Sequence, residues 1–247
     1  MSRTELHPGR AALLLGILVA GLVFWDSPVL LPFKLLSVMG HETGHAVAAL
    51  VAGGSVDSVT LRANESGQCL SRIPESFFAK VLVYSGGYVG SAVIAVALLL
   101  LTFRFNARRF MLYAACAWLV VMGLFYARDA FTLAFCVVMA AAFAAGARWL
   151  PDGAVGVLNL FIAAFTALYA LVDLKDDLWN RAVRSQSDAQ LLADITVVPA
   201  IVWGAVWTLV SVAVLLLGAW VALRDKPARP LAGRGPATSR EHPGAMD

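Results

Sequence analysis

Charged residues and cysteines are scarce in this chain. Asp, Glu, Lys and Arg make up 14% of the 247 residues and apolar residues 60%, whereas soluble domains contain about a quarter charged residues. The three cysteines show no C-x-x-C spacing, which argues against a disulfide framework and against a cysteine-based zinc site. A net charge of +3 is too small for a nucleic-acid footprint, so no nucleic-acid partner is expected. The composition predicts an integral membrane protein in contact with the lipid bilayer.

Long apolar segments account for most of the chain. Each is about 20 residues long, the length that a helix needs to cross the hydrocarbon core of a bilayer. We therefore predict an all-α integral membrane protein with about seven transmembrane helices, multi-pass in the cell (plasma) membrane. The predicted spans cover residues 11–31, 33–52, 77–103, 110–126, 131–147, 155–174 and 199–223. Residues 1–223 would form one polytopic membrane domain, and residues 224–247, rich in Pro, Gly and Arg, a disordered polar tail.

Residues 55–74 have a different pattern. Val56, Val59 and Leu61 are interspersed with polar residues, and Asn64-Glu65-Ser66-Gly67 is a turn signal. A short β-hairpin is therefore predicted after the second span. Because unpaired backbone groups are costly in lipid, such a hairpin can dip toward the membrane only where protein or water covers it.

The second predicted span contains His41-Glu42-Thr43-Gly44-His45, an H-E-x-x-H motif. Residues four apart lie on one face of a helix, so both imidazoles can reach a single metal ion with Glu42 beside it. Ionisable side chains at membrane depth are costly and normally pair, bind an ion or line a polar cavity. The motif predicts a zinc site in which His41 and His45 are ligands and Glu42 is the general base.

A catalytic zinc usually has three protein ligands, so the motif leaves one to be found. The other histidines, His7 and His242, lie in the polar ends of the chain, which favours a carboxylate. Asp173 is the first candidate because it follows the apolar stretch 161–172. Asp176 and Asp177 share its helical face and could instead bind the metal or orient a histidine.

The motif belongs to a longer pattern that resembles the M50 peptidases, the site-2-protease group, and most closely their M50B-like members. Gly53-Gly54, the strand-like residues 56–61 and Tyr84-Ser85-Gly86-Gly87-Tyr88-Val89-Gly90 follow it. The similarity covers residues 33–103, and more loosely the segment around Asp173 and Ser187-Asp188-Ala189. In that group the third ligand is usually an aspartate in an L-D-G or N-P-D-G setting. Asp173 lacks the glycine, whereas Asp152 is followed by Gly153, so the resemblance makes Asp152 a rival ligand.

The resemblance implies an intramembrane zinc endopeptidase that hydrolyses peptide bonds in or near transmembrane segments. Its expected partner is a membrane-protein substrate with a transmembrane helix that unwinds locally, and the hairpin would offer an edge to which an extended peptide adds as a strand. The alternative is a catalytically inactive M50-like membrane scaffold that binds partners. A small transporter would be expected to have repeated halves, which the sequence does not contain.

Overall fold

A computed structural model describes residues 7–179 and 187–224. These residues form eight α-helices and one two-stranded sheet. The elements, in chain order, are α1 Pro8–Val23, α2 Leu31–Val51, β1 Ser55–Leu61, β2 Gly67–Arg72, α3 Phe77–Leu99, α4 Arg108–Val121, α5 Ala130–Trp149, α6 Asp152–Trp179, α7 Asp188–Ile195 and α8 Ala200–Leu223. A 3₁₀ turn, Pro28–Leu30, precedes α2, and wide helical turns of the π type, Leu100–Arg104 and Met122–Tyr126, extend α3 and α4.

Five helices are long and apolar enough to cross a membrane. They cover Phe77–Arg104, Arg108–Tyr126, Ala130–Trp149, Asp152–Asp173 and Ala200–Leu223, in agreement with the last five predicted spans. The first two predicted spans are not confirmed, so the count of seven is not supported. Helix α1 has only 16 residues, about 24 Å of helix against a hydrocarbon core of about 30 Å. Helix α2 has 21 residues, but it carries the ionisable residues of the motif and is not among the helices apolar enough to cross.

Several helix ends meet at one end of the bundle. The His7 N–H donates to the carbonyl of Leu223 at 3.0 Å, which joins the start of α1 to the end of α8. Arg109 at the start of α4 donates to the carbonyls of Ala147 and Leu150 and pairs with Asp152 at 2.7 Å. One side chain thus connects α4 to the α5–α6 junction.

The predicted hairpin is confirmed. Its strands are antiparallel, with Val59 opposite Cys69 and Leu61 opposite Gly67, and a bulge lies between Val56 and Ser58. Val59 and Leu61 are buried against the helices. The outer edge of β1 is occupied, because Val59 forms a bridge to Ala127 and the Leu61 N–H donates to the Thr132 hydroxyl at 2.8 Å. Protein therefore satisfies backbone groups that lipid would leave unpaired.

Glycines allow α2 and α3 to pack with their backbones in contact. A Cβ added to Gly44 would overlap the carbonyl of Gly86, and one added to Gly90 would lie 3.0 Å from the Gly44 Cα. Close helix contact through small residues is the usual packing mode where both neighbours are apolar. This contact fixes the position of the motif along the axis of α3.

The segment 175–198, which lies between the last two predicted spans, is structured in part. Helix α6 continues to Trp179, and α7 begins after Ser187, whose hydroxyl accepts from the Gln190 N–H as an N-cap. Ala189 and Leu192 are fully buried in a cluster with Tyr88. The sequence did not predict α7 because eight residues are too few for a membrane span, and the burial of Ala189 and Leu192 depends on contacts with neighbouring helices. The predicted tail, residues 224–247, lies outside the described residues except for Arg224.

Candidate metal centre

The two histidines of the motif face each other across one turn of α2. Their Nε2 atoms are 3.0 Å apart, and the rings are inclined at 67°. The Nδ1 atom of His45 lies 2.7 Å from the carbonyl of Val83 on α3. A carbonyl only accepts, so Nδ1 carries the proton and the Nε2 lone pair of His45 is free to bind a metal ion. Helix α3 thus selects the tautomer of His45 that a metal ligand requires.

Asp188, at the start of α7, completes a triangle of donor atoms. Its Oδ2 atom is 3.1 Å from His45 Nε2 and 3.4 Å from His41 Nε2. Ligands of a tetrahedral zinc, with bonds of about 2.0–2.1 Å, are about 3.3 Å from one another. The spacing of His41, His45 and Asp188 therefore fits zinc. Burial acts to raise the pKa of Asp188, but the two imidazoles outweigh burial and hold that pKa below its usual range.

The space around the donor triangle is bounded by α3 and α8. A Cβ added to Gly87 would come within 2.5 Å of His45 Nε2 and closer still to His41 Nε2. Any larger residue at position 87 would fill the space toward which the donors point. Tyr88 packs edge-on against the His41 ring at 4.7 Å and stacks on Trp207 at 5.0 Å. The Trp207 indole N–H donates to the Ser85 hydroxyl at 3.0 Å, which fixes this wall of the site.

Glu42 lies between the donor triangle and the hairpin. It is buried, and its charge interacts with those of His41, His45 and Asp188. Its carboxylate accepts a hydrogen bond from the backbone N–H of Cys69 on β2. A Cβ added to Gly67 would lie 2.5 Å from Glu42 Oε1. Strand β2 therefore packs directly on the carboxylate that the motif predicts to be the general base.

The four aspartates considered in the sequence analysis lie at different places relative to the donor triangle. Asp173 is near the site, but its Oδ2 atom is 3.7 Å from Nδ1 of His41, on the far side of the ring from the Nε2 atom that faces Asp188. Asp152 pairs with Arg109 and is mostly exposed at the other end of the bundle. The side chains of Asp176 and Asp177 lie outside the described residues. Among the described residues, the His, Cys, Asp and Glu group that can hold a metal ion is His41, His45 and Asp188.

The sequence analysis did not propose Asp188 as a ligand, because this residue lies far from the motif in sequence, between the last two predicted spans. Two signals were present. Ser187-Asp188-Ala189 formed part of the resemblance, and Ser before a helix with Asp in its first turn is a typical N-terminus. Neither signal states which side chain would reach α2, because that depends on where α7 packs.

The fold and the site define a class, namely a multi-pass helical membrane protein with an H-E-x-x-H helix and a His-His-Asp donor group. The family model described as Peptidase M50B-like matches residues 14–218, so this chain belongs to that family. Membership confirms the predicted resemblance and supports a protease. No curated protein and no solved structure matches the chain.

Proposed function

We propose that this protein is a zinc-dependent intramembrane endopeptidase of the cell membrane that hydrolyses peptide bonds in or near transmembrane segments of other membrane proteins. The observation that carries the proposal is the donor triangle of His41, His45 and Asp188, with edges of 3.0, 3.1 and 3.4 Å, beside the buried Glu42. Family membership supports the same reaction class.

In this proposal His41, His45 and Asp188 would hold the zinc. Asp173, which the sequence analysis favoured as the third ligand, lies behind His41 and would orient its ring. When bound, zinc activates water and polarises the scissile carbonyl. Glu42 takes a proton from the attacking water and delivers it to the amide nitrogen that leaves as an amine. The hydrogen bond from the Cys69 N–H orients the Glu42 carboxylate for both transfers. Val83 and Asp173 hold the rings of His45 and His41 from behind.

The outer edge of β2 is the proposed place where substrate binds. Inter-strand hydrogen bonds of an antiparallel pair alternate, and the Arg62 N–H donates to the carbonyl of Ser66 across the turn. The backbone groups of Gly67 and Cys69 therefore point away from β1, and the Cys69 N–H indeed points to Glu42. A peptide that adds to this edge as a strand would lie beside Glu42. The substrate segment must be unwound, since a helix keeps its peptide groups hydrogen-bonded to one another.

Cleavage by a Glu42→Gln variant tests the proposal. Gln keeps the size of Glu but cannot take up the proton, so cleavage of a transmembrane test peptide should fall by a factor of about 100 or more. The zinc content of the variant, measured by mass spectrometry on detergent-purified protein, should stay near that of the wild type. His45→Ala is the matched control and should lose both zinc and cleavage.

Two results would overturn the proposal. Undiminished cleavage by Glu42→Gln would exclude Glu42 as the general base. A wild-type protein that binds zinc but cleaves none of a broad set of transmembrane peptides would favour the inactive M50-like scaffold.

A further inference from the structure

A buried lysine, about two helical turns before the motif on α2, contacts the hairpin turn. Lys34 on α2 is only 5% exposed, and its Nζ atom is 3.0 Å from Glu65 Oε1. The same ammonium lies 4.7 Å from the centre of the Trp25 ring. A lysine is costly to bury in an apolar bundle unless a carboxylate or an aromatic face compensates its charge, and here both do. This side chain therefore has a specific partner on the hairpin.

The hairpin turn is attached to the bundle at a second point. Glu65 has a φ of +66°, which marks the tight turn, and its carbonyl accepts from the Tyr169 hydroxyl at 3.4 Å. Trp25 stacks on Tyr169 at 5.8 Å, so the ring that holds Lys34 also packs on the donor to Glu65. The turn is thus fixed to α2 and to α6 at one place.

The attachment lies close to Glu42. Strands rise about 3.3 Å per residue, so Gly67 is about 7 Å along the chain from Glu65. Gly67 packs on the Glu42 carboxylate, and Cys69 donates to it. Strand β1 is bound along its outer edge by Ala127 and Thr132. On the helix side, Gly67 of β2 packs on Glu42 and Val38. The turn that leads into β2 is held at Glu65, so a shift of the turn moves β2 relative to Glu42.

We propose that Lys34 and Glu65 are a pair of positioning residues that hold the edge of β2 against Glu42, and that this pair sets how an extended peptide aligns at the site. The inference rests on the proposed peptidase function for its substrate, but the position of the hairpin can be measured without any substrate. Lys34 and Glu65 contact each other, and Glu65 lies in the turn that leads into β2, so the pair acts on the site through the position of β2.

Cys69 is a natural reporter of the position of β2. Its side chain shares the inner face of the hairpin with Val59. The thiol is half-buried, and burial raises its pKa above the ordinary value. A thiol that is covered and protonated reacts slowly with maleimide, and it reacts faster when the hairpin opens.

The experiment measures the rate of maleimide labelling of Cys69 in zinc-loaded full-length protein with Cys116→Ser and Cys136→Ala in the background. Lys34→Met keeps the length of the side chain without its charge, and Glu65→Gln does the same at the turn. Each of these two substitutions should raise the labelling rate of Cys69 about tenfold or more, because opening of the hairpin no longer has to break the Lys34–Glu65 ion pair. Lys80→Met is the matched control, since it removes the exposed Lys80–Glu75 ion pair near the start of α3 and should leave the rate unchanged.

A double variant separates positioning from the effect of an unpaired buried charge. Lys34→Met with Glu65→Gln leaves no lone charge, and in our proposal it should label as fast as the single variants. A return to the wild-type rate in the double variant would overturn the proposal. So would unchanged labelling in both single variants with zinc content retained. If Lys34→Met does not fold, Glu65→Gln alone decides, because the Glu65 side chain is one-third exposed.

Activity provides a second readout once a cleaved peptide is known. Loss of the pair should raise KM several-fold with a smaller change in kcat, and Lys34→Arg should restore KM because it keeps the positive charge. An effect confined to kcat would contradict a role in aligning the peptide. Absence of cleavage in the wild type would instead count against the proposed function, and the labelling result would still decide the role of the pair.

Discussion

At the scale of the residue, the two nitrogens of each histidine have different surroundings. In His45, Nδ1 donates to the carbonyl of Val83 and Nε2 faces Asp188. In His41, Nδ1 lies beside Asp173 and Nε2 beside Asp188. A carboxylate behind a ligand ring fixes its orientation and raises its basicity, whereas a carboxylate in front of it binds the metal. Asp173 and Asp188 therefore have different proposed roles although both touch His41.

The ligand assignment predicts an order of zinc affinities. Asp188→Ala should lose stoichiometric zinc, because two histidines alone hold the ion weakly. Asp173→Ala should weaken zinc binding by about 10- to 100-fold, as expected for a residue behind a ligand. Asp152→Ala is the control and should bind zinc as the wild type does. Competition with a chromophoric chelator measures all three, and a larger loss in Asp173→Ala than in Asp188→Ala would contradict the assignment.

Gly87 offers a test of the space in front of the donors. Gly87→Ala should lose zinc while the protein stays folded, because the added Cβ would overlap the Nε2 atoms of His41 and His45. Gly16→Ala is the matched control, since a Cβ at that helical glycine meets no atom within 4 Å. Zinc content and size-exclusion profile measure the two effects separately. Full zinc occupancy in Gly87→Ala would show that the metal does not lie between these atoms.

At the scale of the element, one threonine links the start of α5 to the hairpin. Asp129 caps α5 by accepting from the Thr132 N–H at 2.9 Å and from its hydroxyl at 2.6 Å. The Thr132 oxygen in turn accepts from the Leu61 N–H. The Thr132 hydroxyl therefore donates to the N-cap residue of α5 and accepts a hydrogen bond from the outer edge of β1.

Replacement of Asp129 tests this link. Asp129→Ala should lower the free energy of unfolding by about 1 kcal/mol, the usual value of a helix cap. Partial burial acts to raise the pKa of Asp129, but the hydrogen bonds from Thr132 outweigh it and hold the pKa below its usual value. A lowered pKa in the folded state means that the contribution is present at neutral pH and is lost as the pH falls through that pKa.

An Asp129→Asn substitution distinguishes the capping hydrogen bond from the effect of the negative charge. Asp129→Asn should retain most of the stability at pH 7, because Asn is also a good cap, but it should lack the loss on acidification that the wild type shows. Thermal unfolding in detergent at neutral and acid pH measures both effects. Equal pH dependence in Asp129→Asn and the wild type would exclude this contribution.

At the scale of the whole molecule, the donor triangle connects elements that are far apart in the chain. His41 and His45 come from α2 and Asp188 from α7, which packs on α3 and α8 through Ala189 and Leu192. A bound zinc would therefore join the two halves of the sequence. An ion that binds only the folded state adds to stability according to its concentration and affinity.

Chelation should lower the melting temperature. At a free zinc concentration of about 100 times Kd the ion contributes about 2.7 kcal/mol, which corresponds to on the order of 5 °C or more for a chain of this size. Differential scanning fluorimetry with and without a chelator measures the change. His45→Ala is the control, since a protein without the site should melt at the same temperature under both conditions. An equal shift in the variant would mean that the chelator acts elsewhere.

The sequence by itself determined the features that depend on local pattern. The membrane class and five spans follow from the length of the apolar segments, and the hairpin follows from alternation and a turn signal. His41, Glu42 and His45 are brought together by helical spacing, which needs no information from the rest of the chain. The resemblance to the family rests largely on the same local segment.

Only the tertiary structure decided which carboxylate lies in front of the histidines. Asp173 follows an apolar stretch, Asp152 precedes a glycine and Asp188 follows a serine, but none of these local signals states which carboxylate reaches the histidines. Their roles depend on how α6 and α7 pack, which puts Asp173 at Nδ1 of His41, Asp188 at both Nε2 atoms and Asp152 on Arg109. The same holds for Lys34 and Glu65, which are 31 residues apart in the chain and meet only when the hairpin folds back on α2. Long-range contacts of this kind are set by shape and burial, which a one-dimensional pattern does not contain.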